Sequence, residues 1–144
     1  TTFITYLRHR QLLTDEVHTF DVNGTENVLS RNVAADNGDD GFDLDGERNR
    51  LTRNEAHKNG AIGEPGNRNG FHVSNDFNAL TGNVATENAE FGFVIDDGIF
   101  GNSITNRNIS ELNGSTDMHD LNAECSSNRW RQNIFGTSDP GCID

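Results

Sequence analysis

Carboxylates crowd one short stretch of this chain, Asp36-Asn37-Gly38-Asp39-Asp40-Gly41-Phe42-Asp43-Leu44-Asp45-Gly46-Glu47. Acidic groups at that density hold a hard cation, move protons, or keep a surface solvated. The stretch is not an EF-hand loop, because counting back from Asp45-Gly46 puts Gly41 where the first aspartate ligand belongs. On another scaffold a Ca2+ ion would use Asp39, Asp40, Asp43 and Asp45. Acid–base chemistry would instead pair Asp43 with His72 as catalytic residues facing a bound sugar. Glycoside hydrolysis needs two carboxyl groups about 5–5.5 Å or about 6.5–9.5 Å apart. A lyase or epimerase needs a base for the C5 proton and a cation or arginine for the resulting anion. Binding roles around such a centre fall to Asp45, Ser74, His57, Arg68 and the neighbouring Lys58, with Phe77 and Phe100 as sugar-stacking rings at strand-end turns. The third outcome, a solvated acidic face, stands beside these two.

What positions these residues is an internal repeat. Phe20-Asp21-Val22 recurs as Phe42-Asp43-Leu44 at a shift of 22, as Phe71-His72-Val73 after a further 29, and as Phe93-Val94-Ile95 after 22 more. Asn27-Val28-Leu29 returns as Asn49-Arg50-Leu51 and Asn78-Ala79-Leu80. A second asparagine column runs Asn32, Asn54, Asn83, Asn108, Asn133, and a third runs Asn37, Asn59, Asn88, Asn113. A fixed period of this length marks a solenoid. In each Phe-x-Leu segment the first and third residues share one face, so Phe42 and Leu44 point inward and Asp43 outward. The expected fold is all-β, a right-handed parallel β-helix of about five to six coils, each roughly 22 to 29 residues long. Asparagine at the bends is expected to take the left-handed conformation and to bond onward to the next coil's asparagine. Stacking puts Asp21 and Asn23 below Asp43 and Asp45, and His72 and Ser74 above them. Carboxylates one coil apart repel unless a cation or a proton lies between them. The coil with the longer spacing carries its extra residues around Gly60-Ala61-Ile62-Gly63-Glu64-Pro65-Gly66, a loop able to border a binding groove.

The whole chain, 1–144, reads as one domain with distinct ends. Tyr6-Leu7 and Leu12-Leu13 sit in register with the first coil but lack its asparagines, so residues 1–18 are a degenerate coil or a capping segment. An uncovered N-terminal sheet edge would offer a route to self-association. At the other end Trp130 takes the leucine slot, and residues 125–144 form a cap closed by a disulfide between Cys125 and Cys142. That pairing points to an oxidising, extracytoplasmic compartment, secreted or periplasmic.

Composition narrows the partners. A net charge of −12 repels nucleic acid and acidic membrane surfaces, and repels anionic polysaccharides unless a cation bridges them. No stretch has the apolar length of a membrane span. Only 32% of residues are hydrophobic, which suits a solenoid whose core is a narrow stripe.

The asparagine-rich coils and the ending Cys125-Ser126-Ser127-Asn128-Arg129-Trp130-Arg131-Gln132-Asn133-Ile134-Phe135-Gly136-Thr137, with Cys142-Ile143, resemble the exported bacterial right-handed β-helix repeat proteins. That group embraces pectate-lyase-like carbohydrate-binding proteins and sugar hydrolases, alginate epimerases and NosD-type periplasmic proteins. The resemblance covers about residues 19–144 and implies a polysaccharide partner. The Asp-Pro-His-Asp box of the epimerases is absent, and so is a polygalacturonase aspartate set, so no catalytic residue carries over. Three readings follow: a carbohydrate-contacting domain, assisted by Ca2+ or not; a structural, self-assembling solenoid; and a fragment of a polysaccharide lyase, epimerase or hydrolase.

Overall fold

A computed structural model of the chain describes residues 3–4, 20–61, 68–125 and 127–144. These residues form a parallel β-solenoid of three sheets. The phenylalanine face stacks Phe20–Asp21, Phe42–Leu44, Phe71–Val73, Phe93–Ile95, Met118–Asp120 and Ser138–Asp139. The leucine face stacks Phe3–Ile4, Val28–Ser30, Arg50–Thr52, Ala79–Thr81, Ser103–Thr105 and Arg129–Arg131. The alanine face stacks Val33–Ala35, Glu55–His57, Val84–Thr86, Ile109–Glu111 and Ile134–Phe135. The chain winds about four full turns, with partial turns at both ends, where five to six were expected. Residues 5–19, where the degenerate coil or cap was placed, lie outside the described residues. The strand Phe3–Ile4 pairs in parallel with Val28–Leu29, with Ile4 in register with Leu29.

The register follows the repeat: Phe20 pairs with Phe42, Phe42 with Phe71, and Phe71 with Phe93. Their rings stack with centroids 4.7, 4.8 and 4.6 Å apart and nearly parallel planes. Those separations match the roughly 4.7–4.9 Å spacing between neighbouring strands, so one ring per coil fills the same slot without slack. Leu29, Leu51, Leu80, Ile104 and Trp130 form a second buried column, and Ala34, Ala56 and Ala85 a third. Small residues in that third column let the alanine face approach the phenylalanine face. Gly70 completes the approach, since a Cβ there would lie 2.6 Å from the Gly92 carbonyl oxygen and 2.9 Å from the Ala85 Cβ.

Asparagines turn the corners, though not by the expected conformation. The residue before each ladder asparagine takes the positive φ: Arg31, Arg53 and Arg107 before Asn32, Asn54 and Asn108, and Lys58, Glu87 and Leu112 before Asn59, Asn88 and Asn113. The reason lies in the hydrogen bonds. Asn54 Oδ1 accepts from both the backbone N–H and the Nδ2 of Asn32, at 2.9 and 3.0 Å. Its own Nδ2 donates to Leu29 O and to Asn83 Oδ1, both at 3.1 Å. An inward asparagine amide can do this only if its neighbour swings outward through the left-handed region. That neighbour is exposed and long, and its N–H reaches the next coil, as Arg31 does to Thr52 O at 3.1 Å.

Polar groups also close the C-terminal end. Asp120 continues the inward column of Leu44, Val73 and Ile95, where an aliphatic residue is expected. Its Oδ2 accepts the Trp130 indole N–H at 2.7 Å, and its Oδ1 accepts from Asn122. The Cys125–Cys142 disulfide and the buried Ile143 complete the cap. Among the described residues no helix is long and apolar enough to cross a membrane.

Candidate functional site

His72 is the outward residue of its strand and sits directly above Asp43. Two further carboxylates reach it. Asp40 precedes the strand below, and its Oδ2 lies 3.3 Å from His72 Nδ1, the same separation as Asp43 Oδ1. Asp96 follows the strand above, and its Oδ1 lies 3.1 Å from His72 Nε2. The repeat places Asp96 beside this cage, though not the direction of its side chain, because Asp96 occupies the slot of Asp45 and Ser74, two coils beyond the first and one beyond the second. The sequence reading missed Asp96, although the alignment of Ile95 with Val73 was enough to place it.

The cage is mostly out of water, with the Asp40 side chain 3% and the His72 side chain 15% exposed. Asp40 is held in place by the Asn69 N–H, which donates to its Oδ1 at 2.6 Å. Burial drives the Asp40 carboxyl above the usual carboxylate range, against the lowering influence of His72 and the Asn69 N–H. Burial by itself would strip the proton from His72. The surrounding Asp40, Asp43 and Asp96 outweigh it and push the imidazole up to about 12. In the chain alone, then, the charge facing three carboxylates is a proton. The attraction at Nδ1 is one of charge rather than of aligned hydrogen bonds: Nδ1 and Asp43 Oδ1 are both buried and neither makes one.

The remaining predicted residues divide. Asp45 is at the adjoining corner, its Oδ1 accepting from Ser74 Oγ at 2.7 Å and its backbone carbonyl accepting from Asn75 Nδ2 at 3.0 Å. Asp39 neighbours Asp40 in the chain but does not join the His72 cluster, so the four carboxylates assigned to Ca2+ are not brought together as one set. His57 faces outward from the alanine face, in the column of Ala35 and Thr86, away from His72. Arg68 pairs with Glu90 at 3.6 Å near the start of the phenylalanine-face strand. Residues 62–67 of the long loop lie outside the described residues, as do His9 and His18. His119, above Val94 on the same face, packs its ring against Phe91 with centroids 4.8 Å apart.

Phe77 and Phe100 do come together. They meet edge to face with centroids 5.2 Å apart, at the corner between the phenylalanine and leucine faces, and remain 44% and 48% exposed. The Arg48 guanidinium lies 5.3 Å from the Phe77 ring centre, and Asp76 Oδ1 accepts the Phe100 N–H at 2.9 Å. The corner is therefore apolar in the middle and rimmed with charge. A shallow concavity elsewhere, between Leu112, Ser115, Asp117, Phe135 and Thr137, offers little chemistry. Of its two carboxylates, Glu111 is exposed and Asp117 is engaged by Asn113, Gly136 and Thr137.

Comparison of the chain with protein-family models, with curated proteins and with solved structures finds no match. The site has to be read from its own chemistry.

Proposed function

We propose that this chain is an exported β-solenoid module that contacts neutral carbohydrate without transforming it. The contact surface is the corner bearing Phe77 and Phe100, with Arg48, Asp45, Ser74 and Asp76 at its edge. The exposed ring pair carries this reading. Phe20, Phe42, Phe71 and Phe93 stack in a core column, whereas leaving two large apolar rings in water has a free-energy cost that a ligand's apolar face removes. A sugar ring presents such a face in its axial C–H groups, and its hydroxyls match a rim of carboxylates, a hydroxyl and a guanidinium. The acidic surface favours a neutral glycan over an anionic one. The resemblance to pectate-lyase-like and NosD-type repeat proteins supports the same substrate class, and the disulfide supports export.

Catalysis by Asp43 and His72 is not part of the proposal. Nε2 is engaged by Asp96, and Nδ1 is buried between Asp40 and Asp43, so neither ring nitrogen can reach a sugar proton. A calcium bridge is left out as well, because Asp45 is tied to Ser74. The test is a glycan array followed by calorimetry on the best neutral oligosaccharide. Phe77→Ala and Phe100→Ala should each weaken binding at least about tenfold, equivalent to roughly 1.4 kcal/mol. Binding that survives the double variant, or no binding to any neutral glycan, overturns the reading.

A further inference from the structure

The geometry points to a site for one divalent transition-metal ion of the zinc class, held by His72 Nδ1, Asp40 and Asp43 and oriented by Asp96. The inference is independent of the carbohydrate corner. Its first support is distance. Charge-assisted N–H to carboxylate hydrogen bonds run about 2.7–2.9 Å, yet both carboxylate oxygens stand 3.3 Å from Nδ1. Zinc bonds of about 2.0–2.2 Å to nitrogen and oxygen, at a tetrahedral angle, put neighbouring ligand atoms roughly 3.3–3.5 Å apart. The observed separations are the edge of a coordination polyhedron rather than the length of a hydrogen bond. All three donor atoms lie within 4.8 Å of one another, so a small rotation of one carboxylate closes the set.

The second support is a pair of buried polar atoms that face each other without an aligned hydrogen bond. His72 Nδ1 and Asp43 Oδ1 are both fully shielded from water and make no hydrogen bond. Buried polar atoms are nearly always paired, and two orphans 3.3 Å apart call for one occupant between them. The third support is the outer shell. Metal-bound histidines usually donate the other ring N–H to a carboxylate, which fixes the tautomer and turns the free lone pair to the ion. His72 Nε2 meets Asp96 Oδ1 at 3.1 Å in that way, and the Asn69 N–H fixes Asp40 by its other oxygen. One imidazole and two carboxylates are too few oxygens for Ca2+, which takes six to eight, but suit zinc with a water in the fourth position.

The test uses the intact, untagged chain stripped with chelator and titrated with ZnCl2 by calorimetry, with CoCl2 as an optical probe. One ion per chain should bind, Co2+ should give the intense visible bands of a tetrahedral site, and His72→Gln should abolish both. Asp96→Asn leaves all three ligands in place, so it reads the site even if His72→Gln fails to fold. It should weaken Zn2+ about 10- to 100-fold. Absence of binding, unchanged affinity in Asp96→Asn, or ready displacement of Zn2+ by equimolar Ca2+ overturns the assignment. The Phe77→Ala and Phe100→Ala variants should bind Zn2+ normally, which separates failure here from failure of the carbohydrate reading.

Discussion

Replacing Asn83 by alanine tests what holds successive coils together. Asn83 is completely buried, midway along its ladder. Its Oδ1 accepts from the Asn54 N–H at 2.8 Å and from Asn54 Nδ2 at 3.1 Å. Its Nδ2 donates to Leu51 O at 3.0 Å and to Asn108 Oδ1 at 3.1 Å. Alanine deletes all four bonds, but the consequences differ. Asn54 Nδ2 keeps Leu29 O, and Asn108 Oδ1 keeps the Asn83 N–H. The Asn54 backbone N–H loses the bond it made to the ladder, and an orphaned buried donor costs about 1–3 kcal/mol. The void left by the amide and the lost Leu51 contact add roughly another 1 kcal/mol. The expected loss is about 3 kcal/mol, or roughly 10 °C in melting temperature for a chain of this length. Asn83→Asp should be no better, because its second oxygen would face Leu51 O and Asn108 Oδ1. The assay is urea denaturation followed by circular dichroism, with the exposed Asn23→Ala as a control that should change stability by less than about 0.5 kcal/mol. If Asn83→Ala matched that control, the ladder would be a by-product of stacking and not its support.

Other perturbations probe the corners and the cap. Leu112 is 78% exposed with φ of 62°, so Leu112→Gly should stabilise the chain by about 0.5 kcal/mol, the relief of left-handed strain less glycine's extra chain entropy; a lowered urea midpoint contradicts this. Gly70→Ala should cost about 1–3 kcal/mol by wedging the alanine and phenylalanine faces apart, visible as a drop in melting temperature. Trp130→Phe keeps the plug but, among the described residues, leaves Asp120 Oδ2 with only Asn128 Nδ2 at 3.2 Å, for an expected loss of about 1–3 kcal/mol in the same denaturation assay. Cys125→Ser with Cys142→Ser should lower stability by about 3 kcal/mol, set by the 17-residue separation; reducing agent should reproduce the effect in the parent chain and leave the variant unmoved.

Much of this was legible in the sequence because a solenoid repeats its physics once per coil. Phenylalanines 22, 29 and 22 residues apart can share a slot only if the intervening chain closes a turn, so column, register and inward face followed from spacing alone. The asparagine columns were legible for the same reason, and so were Trp130 in the leucine slot and the single cysteine pairing. The corners were misread because a side chain that tolerates left-handed backbone is also one that bonds inward, and type alone does not tell which of the two is used. Asp120 was passed over because the eye takes an aspartate as outward, whereas here it ends a column and receives an indole.

The site divides along the same line. Period and alternation determined that Asp43 and His72 point outward, one above the other. Only the tertiary structure decided that Asp40 turns in from the loop before the strand, that Asp96 leans back from the coil above, and that Asp45 goes instead to Ser74. Those side chains come from bends, where no fixed period dictates direction and the choice is made by which neighbours exclude water and which still lack a partner.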